Sequence, residues 1–186
     1  PHHALYKFNG ESKRDYPASL SYQNAWAGQY HRIEDHFARV NVALTKGNPV
    51  VRIAVVHPIE SVWLHMGPND RSAAILAQYE KNFEELIYTL SHGFQDFDFL
   101  SVARLPQLCE QGGAPLHVGQ MAYDVVIVPG LETMRSTTLE RLEAFWQAGG
   151  RLIFMGTAPR FVDGVRDNRV ERLYHQAEHI DMNCNA

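Results

Sequence analysis

Apolar residues along this chain of 186 residues occur either at helical spacing or in short continuous runs. Between residues 24 and 46 they recur every three or four positions, which predicts an amphipathic helix that ends at Gly47 and Pro49. Residues 72–91 and 137–148 have the same period and predict two further helices. A final helix is predicted over residues 170–180.

Four short apolar runs predict strands that are buried on both faces of a sheet: residues 51–56, 98–102, 125–128 and 152–155. Strands that alternate with amphipathic helices favour parallel pairing, with helices on both faces. The predicted fold class is therefore α/β, a doubly wound parallel sheet of the flavodoxin-like type with an N-terminal helical extension. A ligand crevice is expected between the first and third strands, where strand order reverses.

Two loops are predicted at that reversal point, over residues 57–61 and 129–136. Six residues in and just behind these loops are candidates for an interface or a ligand crevice: His57, Glu60, Ser61, Trp63, Glu132 and Arg135. Charge-assisted bonds and an exposed tryptophan are typical of contact surfaces. Two carboxylates are also what a glycosidase needs. Contact with a neighbouring domain explains the same residues without a substrate, and we favour it.

Composition excludes several partners. With 17 basic and 21 acidic residues the formal net charge is −4, so no nucleic-acid partner is expected. No apolar run approaches the roughly 20 residues of a membrane helix, so no membrane partner is expected. Only Cys109 and Cys184 are present, which excludes a disulfide framework and indicates a cytoplasmic location.

Neither a cofactor nor a metal is expected. The chain has no glycine pattern of a phosphate-binding loop. His31 and His36 are five residues apart and do not share a helical face. His175 and His179 are four apart and are expected to form a surface pair, because Gln176 stands where a zinc-binding helix needs glutamate.

The segment YDVVIVPGLETMRSTTLERLEAFWQAGGRLIFMGTAP resembles the central part of class I glutamine amidotransferase-like domains. The shared features are a strand that ends in Pro-Gly, a helix, a double glycine and a further strand, and the resemblance covers about residues 50–164. An active member would carry a cysteine nucleophile in the turn after the fourth strand. Gly156 stands at that position, with Thr157 beside it, and Cys109 is expected to be a small buried apolar residue. No catalytic residue is therefore assigned.

A second resemblance concerns GESKRDYPASLSYQNAWAGQYHRIEDHFARVNVALTKG and VVHPIESVW, which are similar to stretches of large bacterial glycoside hydrolases. In family forty-two β-galactosidases a (β/α)8 barrel is followed by an amidotransferase-like trimerisation domain, and some rhamnosidase-like enzymes share these stretches. The resemblance implies that residues 1–47 are the end of a catalytic barrel with its linker helix. Residues 48–186 would be the amidotransferase-like domain, incomplete at its C-terminus.

The expected function is a non-catalytic accessory or oligomerisation domain of a glycoside hydrolase. Its partners would be the preceding barrel, further copies of the chain, and the parent's carbohydrate substrate. Six N-terminal residues are candidates for sugar contacts in that parent: Lys13, Arg14, Asp15, Tyr16, Gln23 and Trp26. Two alternatives remain, an independent amidotransferase-like hydrolase and a module that binds a small ligand in the crevice between the strands.

Overall fold

The computed structural model describes residues 25–67 and 69–181. The chain divides into two compact units, Pro1–Asn48 and Pro49–Ala186. Of the six predicted sugar-contact residues, only Trp26 lies within the described part; Lys13, Arg14, Asp15, Tyr16 and Gln23 lie outside it. No helix in the described ranges combines the length and the apolar character needed to cross a bilayer.

The first unit contains a short 3-10 turn, Ala27–Gln29, followed by the helix α1, His31–Leu44. The predicted helix is thus present, although it begins later than residue 24. None of its residues is buried. Its apolar stripe is open to solvent, with exposed fractions of 43% for Ile33, 64% for Phe37, 38% for Val40 and 78% for Leu44.

The second unit contains five helices and ten short strands among its described residues. In chain order they are β1 (Ile53–Val56), α2 (Ile59–Leu64), α3 (Asn69–His92), β2 (Phe97–Leu100), α4 (Leu105–Leu108), β3 (Leu116–Val118), β4 (Met121–Tyr123), β5 (Val125–Val128), β6 (Thr133–Met134), α5 (Ser136–Gln147), β7 (Arg151–Met155), β8 (Phe161–Val162), β9 (Val165–Arg166), α6 (Asn168–Gln176) and β10 (Glu178–Ile180).

The main sheet has the order β10-β7-β5-β1-β2, and every neighbouring pair is parallel. In register, Ala54 of β1 lies between Asp98 of β2 and Val126 of β5. Numbered along the chain, these five strands have the order 2-1-3-4-5, which is compatible with a flavodoxin-like sheet. The prediction of a parallel α/β sheet is confirmed, and all four predicted strands belong to it.

The pleat of the sheet separates two apolar clusters on opposite faces. On one face Val126 and Phe154 pack in the larger cluster with Leu139, Leu142 and Phe145 of α5, all of them essentially inaccessible to solvent. The helical apolar period over residues 137–148 thus forms the buried face of α5, in which Trp146 is only partly buried.

On the other face Val55 and Ile127 pack against Leu86 of α3. The apolar positions that recur at helical spacing over residues 72–91 are only partly buried in α3. Leu86 is fully buried among them, whereas Ile75 is 43% exposed. Helices thus cover both faces of the sheet.

The prediction of a helix over residues 170–180 is wrong in its second half. α6 ends at Gln176, the backbone of Ala177 is extended, and Glu178–Ile180 pairs with β7 as the fifth strand. A bidentate ion pair from Arg151 to Glu178, with both distances at 2.9 Å, holds this edge. His175 and His179 therefore lie on a helix and a strand and share no helical face.

The loop predicted over residues 57–61 is also wrong, because α2 begins at Ile59 with Pro58 at its N-cap. Proline breaks a helix interior but fits a helix start. The hairpin β3-β4 and the small sheet β6-β8-β9 were not predicted either. Their strands are two or three residues long, which is too short for a periodic pattern.

Gly112 allows a close approach between the segment after α4 and helix α5. A Cβ atom placed there would lie 2.2 Å from the carbonyl oxygen of Arg141 and 2.7 Å from Cβ of Ala144. The neighbouring Gly113 has open space around it. Of the adjacent glycines 112 and 113, only the first is therefore required for packing.

Candidate functional site

Helix α2 and the segment after β5 are joined by one buried hydroxyl. Ser61 Oγ accepts hydrogen bonds from the backbone N–H groups of Glu132 (2.9 Å) and Thr133 (3.1 Å), and donates to the carbonyl of Thr133 (3.3 Å). Ser61 has no exposed surface. The two chain segments after the first and third sheet strands therefore converge as predicted, and Ser61 positions them from below the surface.

The two candidate carboxylates on these segments are engaged by different basic side chains. Arg135 Nε donates to Glu60 Oε1, and His65 Nε2 lies 2.6 Å from Glu132 Oε2. Each carboxylate is thus paired through one oxygen with a basic side chain. This arrangement favours a role of Glu60 and Glu132 in contact with a neighbouring domain over a role as the carboxylate pair of a glycosidase.

His57 belongs to an aromatic group and not to this polar cluster. Its ring meets Phe83 and Phe99 edge to face, with centroids 5.6 and 6.2 Å apart. The backbone N–H of His57 donates to the carbonyl of Leu100. With Glu60, Trp63 and Phe99 it lines a small pocket of about 210 Å³.

Trp63 begins a short exposed apolar segment. Its exposed fraction is 55%, and Leu64 and Met66 are 52% and 66% exposed. Single exposed apolar residues are normal, but three within four positions on one short helix and its end form a local patch. This patch, Trp63, Leu64 and Met66, is called the α2 patch below.

A larger crevice of about 590 Å³ opens at the carboxyl ends of β5 and β7, against the first half of α3. Its lining residues are Ala74, Ile75, Gln78, Tyr79, Asn82, Gly130, Leu131, Glu132, Gly156, Thr157, Ala158 and Arg160. The crevice was expected between the first and third sheet strands. It lies instead one strand further along, and of the predicted site residues only Glu132 contributes to its wall.

The crevice contains polar groups that sequence reasoning missed. Gln78 Nε2 donates to Asn82 Oδ1 at 2.6 Å. This bond leaves the side-chain oxygen of Gln78 available as an acceptor and the amide N–H groups of Asn82 available as donors. Arg160 donates its backbone N–H to the carbonyl of Glu132, and its guanidinium forms no ion pair with the described residues. The one sequence signal was the polar pair at positions 78 and 82, four apart on a predicted helix.

Tyr79 adds a hydroxyl to this wall. Burial, and then the nearby charge of Glu132, raise the pKa of its phenol above the ordinary value. The hydroxyl therefore stays protonated at neutral pH and can donate a hydrogen bond. The Tyr79 ring also packs beside His65, with ring centroids 5.9 Å apart.

The turn directly after β7 has a residue with positive φ but no nucleophilic side chain. Gly156 has φ +77°, donates to the carbonyl of Ile180 at 2.9 Å and accepts from the hydroxyl of Tyr174 at 2.9 Å. In α/β-hydrolases the nucleophile stands on a strained turn directly after a strand. Here the position has no side chain, the next residue Thr157 is exposed, and neither histidine nor cysteine is among the described lining residues.

The cysteine expected to be a small buried apolar residue is confirmed as such. Cys109 is a free cysteine with 1% of its surface exposed, and its Sγ donates to the carbonyl of Gln111 at 3.3 Å. Burial raises the pKa of its thiol despite the opposing effect of Arg141. A nucleophile needs the thiolate, so this site disfavours attack. Cys184 lies outside the described residues.

Histidines near the C-terminal end of the second unit pack around an aromatic ring. Tyr174 lies 5.5 Å from His175 and stacks on His179 at 5.2 Å, measured between ring centroids. Among the residues that the structure describes, no group of three or more His, Cys, Asp or Glu side chains is placed to hold a metal ion.

Comparison with protein-family models, curated proteins and solved structures found no match to this chain. The resemblance to amidotransferase-like domains and glycoside hydrolases therefore rests on the residues that carry it. Parallel α/β sheets of this kind host many unrelated functions, so function has to be argued from the site.

Proposed function

We propose that this chain is a non-catalytic accessory domain of a bacterial glycoside hydrolase, of the class I glutamine amidotransferase-like type. Its role would be to hold the parent enzyme together, by contact with the preceding catalytic barrel and with further copies of the chain. The sequence resemblance and the 2-1-3-4-5 strand order support the choice of domain class.

The observation that carries the non-catalytic assignment is Gly156. An amidotransferase attacks its substrate with a cysteine activated by a histidine base. At the left-handed turn after β7, where that cysteine would stand, the chain has a glycine with φ +77°. Thr157 has no histidine or lysine base beside it in the described crevice to activate its hydroxyl, since neither residue type is among the lining residues.

Two exposed apolar surfaces support an assembly role. The stripe of α1, formed by Ile33, Phe37, Val40 and Leu44, has the spacing of a helix that packs against a partner. In this proposal it packs against the catalytic barrel. The α2 patch, centred on Trp63, would contact the barrel or a neighbouring subunit, since tryptophan is enriched at the centres of interfaces. The N-terminal candidates for sugar contact would act within the barrel.

The assembly role can be tested by sedimentation velocity of the chain over about 5–200 µM, the range in which micromolar association is visible. We expect the mean mass to rise with concentration, because both apolar surfaces are uncovered. Phe37→Ser combined with Leu44→Ser, and separately Trp63→Ser, should lower this association. Asp35→Ser, on the opposite side of α1, is the matched control and should leave it unchanged. A chain that stays monomeric throughout, or variants that associate like the control, would contradict the assembly role.

A further inference from the structure

The crevice between α3 and the ends of β5 and β7 has an unusual balance of polar groups. One wall offers the amide pair Gln78 and Asn82, in which one oxygen acceptor and free N–H donors remain after their mutual hydrogen bond. The other side is lined by Thr157 and Arg160, which carry a hydroxyl and a guanidinium. Residues with hydrogen-bond donors and residues with acceptors therefore line the same space.

The charges in this lining disfavour a charged ligand. Glu132, with one oxygen 2.6 Å from His65 Nε2, places a carboxylate in the wall, and the same lining includes Arg160, a cation without an ion-pair partner among the described residues. An anion would gain from Arg160 and lose to Glu132, and a cation would meet the reverse. A neutral ligand that both donates and accepts hydrogen bonds meets neither penalty.

Apolar contacts complete the site. Ala74, Ile75, Leu131 and Ala158 supply C–H surface within the same lining, and Ile75 is 43% exposed although it lies on the inner side of α3. A volume of about 590 Å³ falls in the range of small-molecule sites, about 300–1,000 Å³. Such a mixture of hydrogen-bonding groups and apolar surface matches a ring that carries hydroxyls on its rim and C–H groups on its faces.

We propose that this crevice binds a neutral sugar of one or two pyranose rings without hydrolysing it. Gln78, Asn82 and Thr157 hydrogen-bond ring hydroxyls, and Ile75 contacts the C–H face. This inference goes beyond the accessory role and does not depend on it, because it rests on the lining of the crevice alone.

The test is isothermal titration of the chain with D-galactose, D-glucose, L-rhamnose and lactose, each to about 50 mM so that millimolar affinities are detected. At least one sugar is expected to bind saturably. Gln78→Ala should weaken that binding about tenfold, because the variant loses the hydrogen bond from Gln78 to the sugar. Ala158→Phe fills the crevice and should abolish binding.

Gln147→Ala is the matched control, since Gln147 is also an exposed helical glutamine but lies on α5, away from the crevice. It should bind like the unaltered chain. Thermal melting shows whether each variant is folded. If one of the two crevice variants does not fold, the other is compared with the control. The proposal is overturned if no sugar binds, if Ala158→Phe binds as well as the control, or if L-glutamine or inorganic phosphate binds in place of the sugars.

Discussion

Replacing Ser61 by alanine tests how the crevice is held in place. The hydroxyl of Ser61 is the acceptor for the backbone N–H groups of Glu132 and Thr133, and the serine is fully buried. Ser61→Ala fits the same space but removes that acceptor. Both N–H groups would then lose their partner at a place that water reaches poorly.

The magnitude follows from the burial of these two groups. An unsatisfied buried donor costs about 1–3 kcal/mol. Thr133 is 8% exposed and bears the full cost, whereas Glu132 is only partly buried and can recruit water. We therefore expect a loss of about 2–4 kcal/mol in the free energy of unfolding, a large share of the roughly 5–15 kcal/mol of a typical domain. At about 2–4 °C per kcal/mol for a chain of this size, the melting temperature should fall by roughly 5–15 °C.

The assay is thermal and urea-induced unfolding followed by circular dichroism. Ser101→Ala is the matched control, because Ser101 is exposed and its hydroxyl has no hydrogen-bond partner among the described residues. That variant should melt within about 2 °C of the unaltered chain, as surface substitutions usually do. If Ser61→Ala melts with the control, the buried hydroxyl does not fix this segment and the reasoning fails.

Three further predictions concern stability. Gly112→Ala should lower the free energy of unfolding by about 1–3 kcal/mol through collision with helix α5, while Gly113→Ala should be nearly neutral; equal effects in urea titrations would refute the packing argument. Thr138 is fully buried and its hydroxyl has no hydrogen-bond partner among the residues that the structure describes, so Thr138→Val should stabilise by about 1 kcal/mol, and a lower melting temperature would speak against this. Burial and the hydrogen bond to Asp98 raise the pKa of Tyr123, so the protonated phenol contributes its full share of stability below pH 10 and loses it as pH rises towards the folded-state pKa. Tyr123→Phe should therefore lose less stability above pH 10 than the unaltered chain. Urea midpoints that shift equally in both proteins between pH 9 and 11 would contradict this.

The sequence predicts the main sheet well because its inner strands are apolar on both faces. β1, β5 and β7 read as continuous apolar runs, and α5 has an unbroken stripe. β10 lacks this signal, since Glu178–Ile180 is an exposed edge strand whose pairing is set by β7. The local sequence pattern therefore predicts that the preceding helix continues to residue 180.

The candidate site was predictable only in part, for a related reason. Glu132 and Arg135 follow a recognisable strand, so their place at its carboxyl end could be foreseen. Gln78 and Arg160 enter the crevice only because α3 and the segment after β7 meet there in three dimensions. The spacing of Gln78 and Asn82 on a predicted helix is the one local signal, and the sequence around Arg160 gives none.

The non-catalytic role proposed for this domain predicts that it lacks amidotransferase and esterase activity, because glycine stands at the turn after β7. The most direct test measures release of ammonia from L-glutamine and of nitrophenol from p-nitrophenyl acetate by the purified chain, alongside Thr157→Ala and Cys109→Ala. We predict release at the buffer rate for the chain and for both variants, because Gly156 offers no nucleophile and Cys109 is buried. Turnover by the chain that disappears in either variant would contradict the claim.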